Sequence, residues 1–226
     1  MCCVSSSMSE VFACTDDEEE RVRGLEAAES VLRSGELVVL PTDTVYGVAA
    51  DAFDPAAVRR LLRAKGRGRD KPPPVLVAAV TTLDALATSV PGFAREMAEE
   101  LWPGPLTLVC RQQPSLTWDL GDSRRTVALR MPDCDLALEL IRATGPLAVT
   151  SANRTGMPPA TSVAEAREML GDAVSVYLDG GRLSSAAPST ILDVTGLTPR
   201  VLREGALEVA RLRTFRDDIE VMTPDA

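Results

Sequence analysis

Apolar positions along this chain recur at two periods. Over residues 16–34, Val22, Leu25, Ala28 and Leu32 fall at helical spacing, acids fill the first turn and Gly35 ends the run. That pattern predicts an α-helix. Residues 36–40, ELVVL, are a short continuous apolar run, the mark of a buried strand. The run leads into PTDTVYGVAADAF, a polar, glycine-bearing turn flanked by apolar residues. Asp54-Pro55 supplies a cap and a first-turn proline for a second helix, which carries Val58, Leu61 and Leu62 and ends at Gly66. VLVAAV (75–80) reads as a second buried strand, with helical patterns near 82–88 and 92–101.

Six more runs read as strands: 106–110, 126–130, 147–150, 174–178, 189–194 and 200–203. Helices near 134–143 and 162–170 separate some of them. Strands mixed with helices of this length predict an α/β layered sheet. TVALR follows LTLVC without room for a supported helix, so the sheet is expected to mix parallel and antiparallel pairs. Residues 1–15 read as a flexible lead-in, 16–215 as one domain and 216–226 as a tail whose final TPDA frays.

Composition narrows the class. A length of 226 residues with 45% hydrophobic content fits one domain with a full core. No apolar run is long enough to cross a membrane. MCCVSSSMSEVF lacks the features of a secretory signal, so a cytoplasmic protein is expected. Five cysteines, Cys2, Cys3, Cys14, Cys110 and Cys134, show no metal-type pairing and read as free thiols. A net charge of -9 disfavours broad electrostatic binding to duplex nucleic acid. The chain contains no histidine. That excludes a Ser-His-Asp triad, a Cys-His dyad and a histidine metal site. Catalysis must then come from positioning and electrostatics, or from a metal brought by the substrate.

The basic residues are unevenly placed. Of 24 Lys+Arg, two are lysine, Lys65 and Lys71, and both lie in RRLLRAKGRGRDK, where seven basic residues occupy thirteen positions. Arg59 and Arg60 fit a helix end, where cations favour the dipole. Lys65, Arg67 and Lys71 read as lying beyond the helix, where an ammonium can follow phosphate oxygens as a mobile point charge. Polar clusters occur at four strand ends: PTDT, KGRGRDK, TSANRTG and PST. Singly, each fits an Asx- or Ser/Thr-turn equally well; together with the basic loop they point to one cleft outside strand ends. The P-loop, Rossmann and nucleophile-elbow signatures are absent.

The chain resembles the threonylcarbamoyl-AMP synthases, the YrdC-like family, in its short single-domain form. The resemblance rests on LPTDTVYGVAADA (40–52), KGRGRDKP (65–72), LWPGPLTLV (101–109), TVALRMPD (126–133), AVTSANRTGMPP (148–159), STILDVTG (189–196) and VLREG (201–205), in order across residues 20 to 210. Gly68 replaces the family's usual proline, and Pro73-Pro74 replace aliphatic residues. The resemblance implies a YrdC-like twisted mixed sheet flanked by helices around a central basic cleft. It implies synthesis of threonylcarbamoyl-AMP and pyrophosphate from L-threonine, bicarbonate and ATP, for the threonylcarbamoyl modification of tRNA. Arg130 would take the threonine carboxylate, with Thr44, the Val149 backbone and Ser189 completing that pocket. Lys65, Arg67, Lys71 and Arg203 would hold the ATP phosphates, with Thr126, Ser151, Asn153 and Pro159 adding neutral contacts. Lys65 and Arg67 would neutralise the charge that grows during reaction, with Mg2+ carried on the ATP and no metal ligand assigned to the protein. Downstream tRNA threonylcarbamoyl transferases would take the product, and contact with tRNA itself would be weak or indirect. Asp43 could accept a proton or simply shape a turn. A buried Arg130 without a partner would need a bound anion. Two alternatives share the fold: an RNA-binding module, disfavoured by the acidic balance and an aromatic content of 4%, and a carbamoyl-transfer domain.

Overall fold

The computed structural model describes residues 9–184 and 186–222. Strand β1 (Glu10–Ala13) leads into helix α1 (Glu18–Arg33), which starts where the Asp17 carboxylate accepts the amides of Glu19 and Glu20. Strands β2 (Val38–Leu40) and β3 (Gly47–Asp51) form an antiparallel pair. Helix α2 (Pro55–Lys65) begins with the Asp54 cap and ends at Gly66, whose φ of 62° suits a residue without a Cβ. Strand β4 (Val75–Leu76), helix α3 (Thr82–Leu86), strand β5 (Ala87–Thr88) and helix α4 (Gly92–Leu101) lead to strand β6 (Leu106–Gln112). Strand β7 (Thr126–Arg130), helix α5 (Asp135–Thr144), strand β8 (Leu147–Ser151) and helix α6 (Val163–Leu170) follow. Strands β9 (Val176–Asp179), β10 (Thr190–Asp193) and β11 (Arg200–Arg203), helix α7 (Val209–Arg213) and strand β12 (Glu220–Val221) complete the described chain.

The strands make one mixed sheet in the order β1-β9-β2-β3-β8-β4-β7-β6-β10-β11-β12, with β5 beside β6. The antiparallel β6–β7 pair appears where the sequence leaves no room for a crossover helix. Side-chain alternation divides the core. Val48 and Ala50 face the larger cluster with Val58, Leu61 and Leu108, while Ala49 joins Ala28, Leu32 and Leu140 on the other face. Among the described residues, no helix is long and apolar enough to cross a membrane.

Several elements depart from expectation. The lead-in assigned to residues 1–15 contains β1, which pairs in parallel with β9, and Phe12 and Cys14 are buried. The approach is close: a Cβ on Gly24 of α1 would lie 2.8 Å from the Cβ of Phe12. Cys2 and Cys3 lie outside the described residues, as does the terminal TPDA. The tail assigned to residues 216–226 contains β12, paired with β11. GVAAD, read as part of a turn, is the β3 strand, with all but its last residue buried. VLVAAV yields two strand residues, because the chain turns at once: the Thr82 amide donates to the Ala79 carbonyl at 3.1 Å and that of Leu83 to Val80 at 3.0 Å. Both short pairings depend on partners distant in sequence, and local periodicity carries no trace of them.

Deletion of residues 1–14 is expected to leave a folded protein of lower stability. Burying a phenylalanine contributes about 1.5–3 kcal/mol, so the urea midpoint should fall by the corresponding amount; an unchanged midpoint would show that β1 adds nothing.

Candidate active site

The β2–β3 connection is shaped by a threonine turn. The Thr42 hydroxyl accepts the amides of Thr44 and Val45 at 3.2 Å each and donates to the Val45 carbonyl at 2.6 Å. That turn presents Thr44 and Asp43 to Arg130 at the end of β7. The buried guanidinium donates from Nη2 to Asp43 Oδ1 at 2.5 Å, from Nη1 to Thr44 Oγ1 at 2.8 Å and from Nε to the Gly104 carbonyl at 3.0 Å. Burial pulls the Arg130 pKa down, and Asp43 beside it works against that fall. The expectation that Arg130 needs a bound anion for want of a partner is therefore corrected: Asp43 is that partner. Asp43 holds the arginine, a role outside the two foreseen for it.

Two further arginines reach the same place. Arg203, at the end of β11, donates to the Ser189 carbonyl from Nε at 3.0 Å and from Nη2 at 2.8 Å. Ser189 Oγ in turn lies 2.8 Å from Thr107 Oγ1. Arg67, just past α2, donates to the Lys71 carbonyl at 2.6 Å and to Thr150 Oγ1 at 2.9 Å. Burial lowers the pKa of both. For Arg203, the positive charges of Arg130 and Arg67 lower it further, which places all three in one electrostatic neighbourhood. Neither Arg67 nor Arg203 has a carboxylate within salt-bridge distance among the described residues.

These side chains line a cavity of about 430 Å³. Its wall takes residues from all four polar clusters: Thr42 and Thr44, Arg67, Thr150 and Ser151, and Pro188 and Ser189. The four residues expected to bind threonine, Thr44, Arg130, Val149 and Ser189, all line it. Of the residues expected at the nucleotide, Arg67, Thr126, Ser151, Pro159 and Arg203 line it, and Lys65, Lys71 and Asn153 do not. Lys71 is exposed and offers its carbonyl to Arg67. Asn153 is buried, with its amide nitrogen committed to the Arg154 and Met157 carbonyls.

Lys65 requires the largest correction. It is the last residue of α2, 3% exposed, and is no loop cation beyond the helix. Its ammonium donates to the Ser151 carbonyl, to the Asn153 carbonyl at 2.6 Å and to Asn153 Oδ1 at 3.0 Å. Burial, with Arg67 adding to it, lowers its pKa to about 8. Sequence reasoning missed Thr107, Thr150 and Leu120 as wall residues. A threonine inside the apolar run LTLVC was a usable signal for Thr107; Leu120 sits in an aperiodic loop and gave none.

Comparison with known proteins fits this geometry. The Sua5/YciO/YrdC family model, described as telomere recombination, matches residues 30–205. A putative threonylcarbamoyl-AMP synthase of Mycobacterium tuberculosis is 53% identical over 205 residues, covering 91% of this chain and 94% of that one. The crystal structure of Pyrococcus abyssi Sua5 complexed with L-threonine superposes with a TM-score of 0.88 at 33% identity, over 95% of this chain and 63% of that one. The crystal structure of E. coli YciO gives a TM-score of 0.79 at 26% identity, over 89% and 98%.

Lys65→Met should destabilise the protein. It removes three charge-assisted donors from buried oxygens, and a hydrogen bond to a charged group contributes about 1.5–3 kcal/mol. A loss of roughly 2–5 kcal/mol in urea unfolding is expected. A loss below about 0.5 kcal/mol, the scale of a neutral surface change, would return Lys65 to the role of a free loop cation.

Proposed function

The chain belongs to the Sua5/YciO/YrdC family, and from that premise we propose that it is an L-threonylcarbamoyladenylate synthase. The observation that carries the reading is one cavity with two kinds of cation. Arg130 sits among hydroxyls with its own carboxylate partner, while Arg67 and Arg203 face the same space with none. An amino acid and a polyanion side by side match that division. The threonine carboxylate takes the unused N–H groups of the Arg130 fork, and Thr44, Val149 and Ser189 surround its amine and hydroxyl. The phosphates of ATP lie toward Arg67 and Arg203, with Thr126, Ser151 and Pro159 along the nucleotide.

The chemistry proceeds without histidine. The neutral amine of threonine attacks bicarbonate, forming the C–N bond of a carbamate as water leaves. A carbamate oxygen then attacks the α-phosphorus, and the bond to the β-phosphate oxygen breaks to release pyrophosphate. Arg67 and Arg203 stabilise charge on the departing phosphates, and the fixed geometry of the wall keeps carbamate and α-phosphorus in line. Lys65 acts from behind the wall by holding Ser151 in place. No carboxylate lines the cavity, and no three acidic or cysteine groups are placed to hold a metal ion among the described residues. The wall therefore does not fit a resident Mg2+ ion; such an ion would arrive on the ATP phosphates, with water completing its shell. The adenylate then passes, in the cytoplasm, to a tRNA-directed threonylcarbamoyl transferase. The net charge of -9 keeps direct tRNA contact weak.

Pyrophosphate release tests the reading directly. Release should require ATP, L-threonine and bicarbonate together, and serine should substitute poorly. Release from ATP alone at the same rate would reject it.

A proton measurement tests the phosphate side. With the Lys65 pKa lowered to about 8, the free protein carries that ammonium only partly protonated at pH 8. A polyanion nearby favours the charged form and raises the pKa, so ATP binding should take up protons at pH 8 and nearly none at pH 6.5. Calorimetry in buffers of different ionisation enthalpy reads the uptake, and proton release at pH 8 would contradict it.

A further inference from the structure

The segment between β6 and β7, residues 113–125, has no regular structure, yet it is tied to the basic loop at residues 66–72. Asp119 accepts a fork from Arg69, Nη2 to Oδ1 at 2.8 Å and Nη1 to Oδ2 at 3.1 Å. Asp122 approaches Arg69 Nε at 3.5 Å, and its amide donates to the Arg69 carbonyl at 2.8 Å. Gly121, at φ 108°, lets the two backbones meet: a Cβ there would lie 2.7 Å from the Arg69 carbonyl oxygen. Between these ties Leu120 is buried and lines the cavity.

The loop leaves this contact under strain. Arg124 and Arg125 are consecutive non-glycine residues at φ 51° and 62°, immediately before Thr126 of the cavity wall. Such a conformation persists where surrounding contacts enforce it. On the other side of the fork, Arg67 turns inward to the cavity while Arg69 turns outward to the acids. The four cations of the GRGRDK region and α2 end are thus sorted: Lys65 into protein carbonyls, Arg67 into the cavity, Arg69 into an acidic fork and Lys71 into solvent.

We propose that Asp119 is a positioning residue for the nucleotide half of the site: its fork with Arg69 fixes the basic loop so that Arg67 reaches the phosphates, and seats Leu120 in the cavity wall. The inference rests on the reading that this cavity binds ATP. It goes beyond that reading by assigning a role to a residue that touches no substrate. The sign of its effect sets it apart from a charge effect. Asp119 is an anion near a site for a polyanion, so as a charge it opposes ATP binding, and neutralising it would tighten ATP. As a latch it supports Arg67, and neutralising it weakens ATP.

Calorimetric titration of ATP and of L-threonine into wild type, Asp119→Asn, Arg69→Gln and the double variant decides the matter, with Asp84→Asn, which breaks a surface ion pair with Arg95 elsewhere, as control. Asp119→Asn is expected to weaken ATP on the order of tenfold, the scale of one charge-assisted contact weakened at Arg67, and to leave threonine within about twofold. The double variant should lose clearly less than the sum of the two single losses, because the Arg69–Asp119 fork is lost in both, while Arg69 also approaches Asp122 and Asp119 also approaches Arg59 at 4.0 Å. Unchanged or tighter ATP binding in Asp119→Asn overturns the proposal, as do equal losses for both ligands or additive losses in the double variant. Failure of wild type to bind ATP would instead strike the function on which the proposal rests.

Discussion

The position of the cavity wall depends on one buried ammonium. Lys65 ends α2 and donates to oxygens of Ser151 and Asn153, while the amide of Thr155 returns a bond to the Lys65 carbonyl at 2.9 Å. The helix end and the turn after β8 are thereby locked from both directions. Two residues on, Arg67 makes a second tie to the same strand end through Thr150. The basic loop is thus suspended from β8 by two cations before any ligand arrives. This explains a lysine at position 65 in a chain whose basic residues are, but for Lys71, otherwise arginine. Three acceptors lying around one point suit the three donors of an ammonium, whereas a planar guanidinium spreads its donors in a fork.

The cavity also sets an electrostatic constraint that the rest of the chain offsets. Burial disfavours the charge on Arg67, Arg130 and Arg203 alike, Arg130 and Arg67 lower Arg203 further, and Asp43 is paired to Arg130. Two further acids close by, Asp119 and Asp122, are drawn outward by Arg69 rather than placed on the wall. The free protein therefore holds two arginines, Arg67 and Arg203, partly buried on the cavity wall without a carboxylate partner among the described residues, a costly state unless a ligand completes it. The protein is acidic overall, at -9. Three arginines gathered on one cavity wall of an acidic chain suit a small anion better than an extended one.

Much of this was legible in sequence. Helices α1 and α2 announced themselves by the acidic first turn and Gly35 in one and by Asp54 and Gly66 in the other, and the mixed sheet by the missing crossover between LTLVC and TVALR. The four polar clusters do meet at one cavity, each contributing residues to its wall. Periodicity failed for β1, β5 and β12, each two to four residues long and formed by pairing with a distant strand. It failed differently at Lys65. The scarcity of lysine was a true signal that this ammonium mattered, but a sequence cannot tell a phosphate oxygen from a backbone carbonyl as the acceptor.

The loop at residues 113–125 shows why the remainder stayed hidden. Its conformation opposes local preference at Arg124 and Arg125, and it is held by Arg69 from another loop and by Phe53, whose ring lies 5.3 Å from that of Trp118. No window of sequence contains both members of either contact. Local preference and final structure agree through most of this chain, and they part at the short distant pairings and in this loop beside the cavity. Foldable sequences tolerate such conflicts at few places, and chiefly where a site requires them. The strain at Arg124 and Arg125 directly precedes Thr126 of the wall, and Lys65 holds Ser151 of the same wall from behind, so two locally unfavourable choices serve the space that three arginines face.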